Sequence, residues 1–170
     1  HYWGVWWGMQ PFEMYAKKTG RFMSEYGFQG MPSLKAIHSF TKKDDRKLFS
    51  AAIKNHQKHP TGFETIDQYM KDWYKKPKDF ESYVYVSQLL QAEGMKIAIE
   101  AQRQAMPYCM GTLFWQLNDC WPAVSWSSVD HNNSWKAAMY QAKRSYASQI
   151  ITLEEKNDEV LVHLVSDEQE

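Results

Sequence analysis

The stretch GRFMSEYGFQGMPS, residues 20–33, sets one acid, Glu25, in a short apolar run between Gly20 and Gly27. RFMSEYG has the apolar and aromatic texture of a strand. An ionised carboxylate is costly to bury without partners and is rare in a strand core. The residues alone leave two readings open. Glu25 stands at a strand end facing a cleft, or it sits at a strand edge and pairs with a lysine or arginine.

Reading this stretch as a strand organises what lies on either side. HYWGVW upstream is aromatic and β-branched, which suits a strand that ends in the loop WGMQP. FEMYAKKTG then fits a short helix stopped by Gly20. Residues 33–79 hold short amphipathic pieces, SLKAIHSF and DDRKLFSAAIKNHQKH among them, broken by Pro60, Gly62 and Pro77. From Tyr83 to Met106, Val86, Leu89, Leu90, Ile97, Ala101 and Ala105 recur near the helical period and predict a long helix ending before Pro107. Gly94 inside it costs about 1 kcal/mol against alanine, which calls for a close approach, expected from another backbone. CMGTLFWQL reads as a third strand, and SWKAAMYQAKRSYA as a helix started by Ser134. Strand, helix, strand, long helix, strand and helix make an α/β pattern with a parallel sheet. After Ala147, IITLEEKNDEVLVHLVS alternates around a polar Asn-Asp turn, a β-hairpin signature.

Composition narrows the function classes. Net charge is formally zero, which removes the electrostatic case for nucleic acid or an anionic membrane surface as partner. No apolar run approaches the length of a membrane span. Aromatic residues make up 15% of the chain, with eight tryptophans. Rings at that density serve cores, interfaces and sugar-binding clefts, where they stack on the C–H faces of a pyranose. Cys109 and Cys120 lack a CxxC spacing and are expected to be buried thiols. His56 and His59 lie in a Lys-rich segment expected to face solvent, so no metal site is predicted. No nucleophile elbow and no phosphate-cradling glycine loop is present.

The polar and aromatic residues gather just after each predicted strand. Alternation puts Trp3 and Trp7 on one face of the first run and Trp6 on the other. Trp115 stands at the end of the third, placed for a pocket floor or for the core. Asn118 and Asp119 are expected to bond the backbone of the following loop, which Trp121-Pro122 shapes. In an α/β barrel, that strand end is where sites are built.

SEYGFQGMPS, with HYWGVWWGMQPFE before it and GTLFWQLNDCWPAVSWSSVD after it, resembles the catalytic domain of β-mannosidases of glycoside hydrolase family 2. The resemblance covers residues 1 to about 147, with the three blocks in the family's order. It implies the last three or so β/α units of a (β/α)8 TIM barrel over 1–147. Residues 148–170 resemble the start of the β-sandwich domain that follows the barrel in that family. The implied activity is retaining, exo-acting hydrolysis of terminal β-linked mannose, with no cofactor. The glutamate of the Ser-Glu-Tyr-Gly motif, here Glu25, is then the nucleophile, and Trp3, Trp115 and, less directly, Trp7 line the sugar subsite.

In that family the acid/base glutamate follows an asparagine, and no Asn-Glu pair occurs in this sequence. HYWGVWW reads as the middle of an element, so the chain is expected to be a piece of a longer protein. As such it is expected to be inactive by itself and to self-associate through open barrel edges. Related readings are a family 2 exo-β-glucosaminidase and, from another class, a non-catalytic carbohydrate-binding module. Family members work in the periplasm or the lysosome, which implies an extracytoplasmic site.

Overall fold

The computed structural model describes residues 1–168. Its regular elements run α1 (Met14–Lys17), α2 (Leu34–Phe40), a 3-10 turn (Lys43–Asp45), α3 (Ala51–Asn55), α4 (Gly62–Trp73), α5 (Phe80–Gln104), α6 (Ala137–Ser145), β1 (Gln149–Lys156) and β2 (Glu159–Ser166). The α/β class holds. The regular sheet among the described residues, however, is the antiparallel β1–β2 pair and not a parallel one.

The three expected strands are shorter and less regular than their composition suggests. HYWGVW is not a strand. Its backbone curls, with Gly8 N–H donating to the Trp3 carbonyl at 3.1 Å and Gln10 N–H to the Gly4 carbonyl at 2.9 Å. Trp6 adopts φ 73°, left-handed backbone that a bulky residue rarely takes. The curl turns the Trp6 indole into the core, where burial of a large ring compensates for the unfavourable backbone. Residues 21–26 and 110–115 do lie parallel, with a bridge between Met23 and Thr112. Met23 N–H donates to Gly111 O at 2.8 Å, Leu113 N–H to Met23 O at 2.8 Å, and Trp115 N–H to Tyr26 O at 2.7 Å. Tyr2 N–H joins from the other side, to Glu25 O at 2.9 Å. The segment carrying Glu25 thus lies between residues 110–115 and the start of the first run.

The long helix forms and begins earlier than expected, but the periodic residues are not its packing face. Of Val86, Leu89, Leu90, Ile97, Ala101 and Ala105 only Leu90 is buried, and Tyr83, Val84, Ser87, Gly94, Met95, Ala98 and Gln102 turn inward instead. Asp79 caps it, accepting from Ser82 N–H at 2.8 Å, so the 25 residues from Phe80 to Gln104 are helical. Gly94 meets a ring and not a backbone: a Cβ there would stand 2.7 Å from Phe12 Cε1. That ring belongs to an aromatic core in which Phe12, Phe28 and Tyr69 pair at 4.9–5.1 Å and Trp6 reaches Phe28 at 5.0 Å. Each such pair adds about 0.5–1.5 kcal/mol beyond the area it buries.

Ser134 does not start α6. It is held in a tight turn with Asp130, and Lys136 occupies the capping position instead. Lys136 is fully buried, with Nζ donating to the Gly30 carbonyl at 2.8 Å. Around it, Asp130 accepts from the backbone of Ser33, Asn132 and Ser134, and Asp119 accepts from Ser125 Oγ at 2.6 Å and Lys58 Nζ at 3.3 Å. Asp119 therefore ties its loop through a serine side chain and a lysine, not through the loop backbone. Cys109 is buried as expected, whereas Cys120, in that same loop, is exposed.

The hairpin forms as read, with Asn157 and Asp158 both at positive φ, 52° and 61°, as a two-residue turn of this hand demands. Arg103, on the last turn of α5, fixes it in place. Its guanidinium donates to Ser145 O and Ala147 O at 2.6 Å each and pairs with Asp167 at 2.9 Å. The opposite hairpin face, Ile151, Leu153, Val160, Val162 and Leu164, is exposed.

Candidate functional site

Glu25 stands on the segment between residues 110–115 and the start of the first run. Tyr26 points into the core, its hydroxyl 2.7 Å from Thr112 Oγ1. Glu25 is half-buried. Its Oε1 accepts from the Trp3 indole Nε1–H at 2.7 Å, a charge-assisted bond between side chains 22 residues apart. Among the described residues no protein donor reaches the other oxygen, Oε2. The arrangement holds one oxygen and leaves its twin available.

Gly27 explains how the neighbouring segments come so close. A Cβ there would run into the Trp115 carbonyl oxygen and stand 3.3 Å from Trp3 Cη2. The absence of a side chain lets the Trp3 ring and the Trp115 backbone close over the strand end. Trp115 follows with an exposed ring, and the Trp115–Gln116 peptide is cis. The structure thus brings Trp3, Glu25 and Trp115 onto adjoining segments.

Trp7 joins by an indirect route. It is exposed, and its ring stacks on Trp126 at 6.3 Å, while Trp126 in turn meets Trp3 edge-on at 6.4 Å. Trp3 and Trp7 are linked through Trp126 and not by sharing a strand face. Nothing in SWSSVD sets Trp126 apart from its neighbours. Its signal was weak, because the residue lies in a loop with no period to place it.

His59 is the second residue the sequence misplaced. It is buried, not solvent-facing, at 4.3 Å from Trp7, 5.3 Å from Trp6 and 6.2 Å from Trp126 between ring centroids. Burial pushes its pKa below the ordinary histidine value, with the Glu64 charge opposing, so the imidazole is neutral at pH 7. Its Nδ1 accepts from Thr61 N–H at 3.2 Å. His56 is also half-buried, sandwiched between Phe40 at 3.8 Å and Trp121 at 4.7 Å. Lys54 is exposed and Lys58 turns to Asp119, so the lysines around both histidines in sequence mask where the rings go.

A half-buried carboxylate with one oxygen bonded and one available, beside exposed indoles, is one of the two carboxyl groups that retaining glycoside hydrolysis requires in chemical terms. No family model matches the chain. Its fold is that of part of the exo-chitosanase from Amycolatopsis orientalis, with a TM-score of 0.74 over 90% of this chain and 20% of that one, at 18% identity. A β-D-mannosidase from Dictyoglomus thermophilum matches with a TM-score of 0.95 and 36% identity, over 98% of this chain and 21% of that one. In sequence, β-mannosidase B of Aspergillus niger is 34% identical over 149 residues, covering 85% of this chain, and that of Emericella nidulans is likewise 34% identical. The chain is homologous to a segment of the β-mannosidases, as its three motifs implied. It spans 18% of the length of these curated relatives.

Proposed function

We propose that the chain is the C-terminal part of the catalytic (β/α)8 barrel of a retaining exo-β-mannosidase of glycoside hydrolase family 2. Residues 1–147 supply the last barrel units, and 148–170 begin a β-sandwich domain. The protein that contains it removes terminal β-D-mannose from the non-reducing end of its substrate. The observation that carries this reading is the 2.7 Å bond from Trp3 Nε1 to Glu25 Oε1, which orients a carboxylate at a strand end.

Glu25 is the nucleophile. Its free oxygen attacks the anomeric carbon, displaces the aglycone and forms a glycosyl ester, which water then hydrolyses with net retention. The proton for the leaving oxygen comes from a second carboxyl group about 5–5.5 Å away. This sequence contains no Asn-Glu pair to provide it, so that group lies elsewhere in the protein. Trp3 holds the nucleophile, and Trp115 and Trp7 present ring faces to the sugar.

The test is a chimera in which this chain replaces the matching segment of the Dictyoglomus thermophilum enzyme. It is expected to release p-nitrophenol from the β-mannoside and to prefer it over the β-glucosaminide. A preference for the glucosaminide would shift the reading to an exo-β-glucosaminidase, and sugar binding indifferent to Glu25 would shift it to a binding module.

Two expectations concern the 170-residue chain alone. Without a proton donor it forfeits on the order of 10²–10⁴ in rate, and the incomplete cleft loses more, so p-nitrophenyl β-mannoside is expected to remain intact. Turnover abolished by Glu25→Gln would contradict this. The chain is also expected to self-associate. Leu113 and Leu117 are exposed beside the extended segments, and the hairpin shows an uncovered apolar face; surfaces of this kind favour association. Light scattering at rising concentration should show a growing mass, and a monomer throughout would refute the idea.

A further inference from the structure

Away from Glu25 lies a cavity lined by none of Trp3, Glu25 and Trp115. It lies where α4, the start of α5 and the Lys47–Leu48 turn meet, and measures about 670 Å³. That size is within the range of about 300–1,000 Å³ usual for small-molecule sites. Its floor is apolar and aromatic, formed by Leu48, Met70, Tyr74, Pro77, Phe80 and Tyr83.

Two independent features of this cavity point to a ligand and to its charge. The first is the rim, where Lys47, Lys71, Lys76 and Lys78 face only Asp67 and Asp79. Asp79 is already committed, since its carboxylate caps α5 by accepting from Ser82 N–H at 2.8 Å. Among the described residues none of the four ammonium groups has a carboxylate within 4.0 Å. The second is the aromatic wall, where Tyr83 is 5% exposed and lines the cavity; its hydroxyl makes no hydrogen bond within 3.5 Å among the described residues and has the Asp67 carboxylate as its charged neighbour.

We propose that this cavity binds a small amphipathic anion, an aromatic or alkyl carboxylate, sulfonate or phosphate ester. Its apolar body lies on the floor, and its acidic head sits among the lysine ammonium groups. The lysines act as mobile point charges and not as a shaped fork, so the site selects for charge and size more than for one head-group geometry. Binding here is independent of the glycosidase reading, and either can fail without the other.

Naphthalene-2-sulfonate is the probe, titrated by calorimetry and followed by amide chemical shifts on the 170-residue chain. Saturable one-to-one binding is expected, with shifts concentrated at residues 47–48 and 67–83. The paired surface change Lys76→Glu/Lys78→Glu should weaken it at least about tenfold, because two attractions become repulsions. Leu48→Trp, which fills the cavity without touching the charges, should weaken it comparably. The neutral naphthalene-2-methanol should bind at least about tenfold more weakly than the sulfonate. Absence of saturation at millimolar probe would overturn the proposal. So would affinity unchanged in both variants, or equal affinity for the neutral analogue, which would assign the binding to exposed apolar surface such as the hairpin face. Should the double variant lose its helical circular dichroism, Leu48→Trp decides.

Discussion

Glu25→Gln, placed in the chimera with the Dictyoglomus thermophilum enzyme, is expected to lower kcat/KM on p-nitrophenyl β-mannoside by on the order of 10⁴–10⁶-fold, the usual cost of deleting a covalent nucleophile. The substitution keeps the shape and still accepts from Trp3 Nε1, so the loss reads the chemistry and not the packing. Two further measurements separate a nucleophile from a merely positioned acid. A 2-deoxy-2-fluoro-mannosyl fluoride should inactivate the parent chimera and leave its label on the peptide containing Glu25. Glu25→Ala should regain turnover in azide and give the α-mannosyl azide, because the anion attacks from the face the carboxylate has vacated. Trp3→Phe, which keeps a ring but removes the N–H bonded to Oε1, should cost far less, about 10–100-fold. A Glu25→Gln variant within tenfold of its parent would remove Glu25 from the mechanism.

The second large effect concerns stability. Lys136 is wholly buried, and burial lowers its pKa from the usual 10.5 to about 7, against the opposing pull of Asp119 and Asp130. In the pH interval between those two values the unfolded chain carries the proton and the folded chain does not. Stability therefore rises with pH from about 7 towards 10.5, and below 7 the penalty is constant. The full span corresponds to about 5 kcal/mol, as an order of magnitude. Tyr15, Tyr26 and Tyr69 have pKa values raised by burial, which makes stability fall again above pH 10, so the clean interval for measurement is below that. Urea midpoints taken from pH 7.5 to 9.5 should climb in the parent and stay level in Lys136→Met. The variant also leaves the Gly30 carbonyl short of a donor, at about 1–3 kcal/mol. A level profile in the parent would show that the buried group keeps its proton.

What the sequence revealed and what it concealed divide along the range of the interactions involved. Helix α5 was legible as a helix, though not in its packing face, because its period and its stop at Pro107 are local. The hairpin was legible because Asn157 and Asp158 tolerate the backbone their turn needs. Glu25 stood out as an isolated acid in an apolar run, and the motif blocks supplied Trp3 and Trp115. The first run was misread as a strand because aromatic composition carries no sign of the curl at Trp6, which long-range ring packing stabilises. Trp126 and His59 were passed over for the same reason. Their positions depend on rings more than fifty residues away in sequence, and neighbouring loop or lysine residues give no hint of that. Lys136 is the extreme case. Nothing in SWKAAMYQ distinguishes a buried ammonium from a solvated one, because its acceptor at Gly30 is 106 positions distant.

Glu25 is gripped twice by adjacent residues of one neighbouring segment: Tyr2 holds its main chain and Trp3 holds its carboxylate. A free glutamate side chain loses about 1.5–2 kcal/mol of rotational freedom when it is fixed in one pose. Here that immobilisation happens during folding, before any sugar arrives. In the proposed reaction the carboxylate would meet an incoming sugar already aimed, with none of the sugar's binding energy diverted into freezing it.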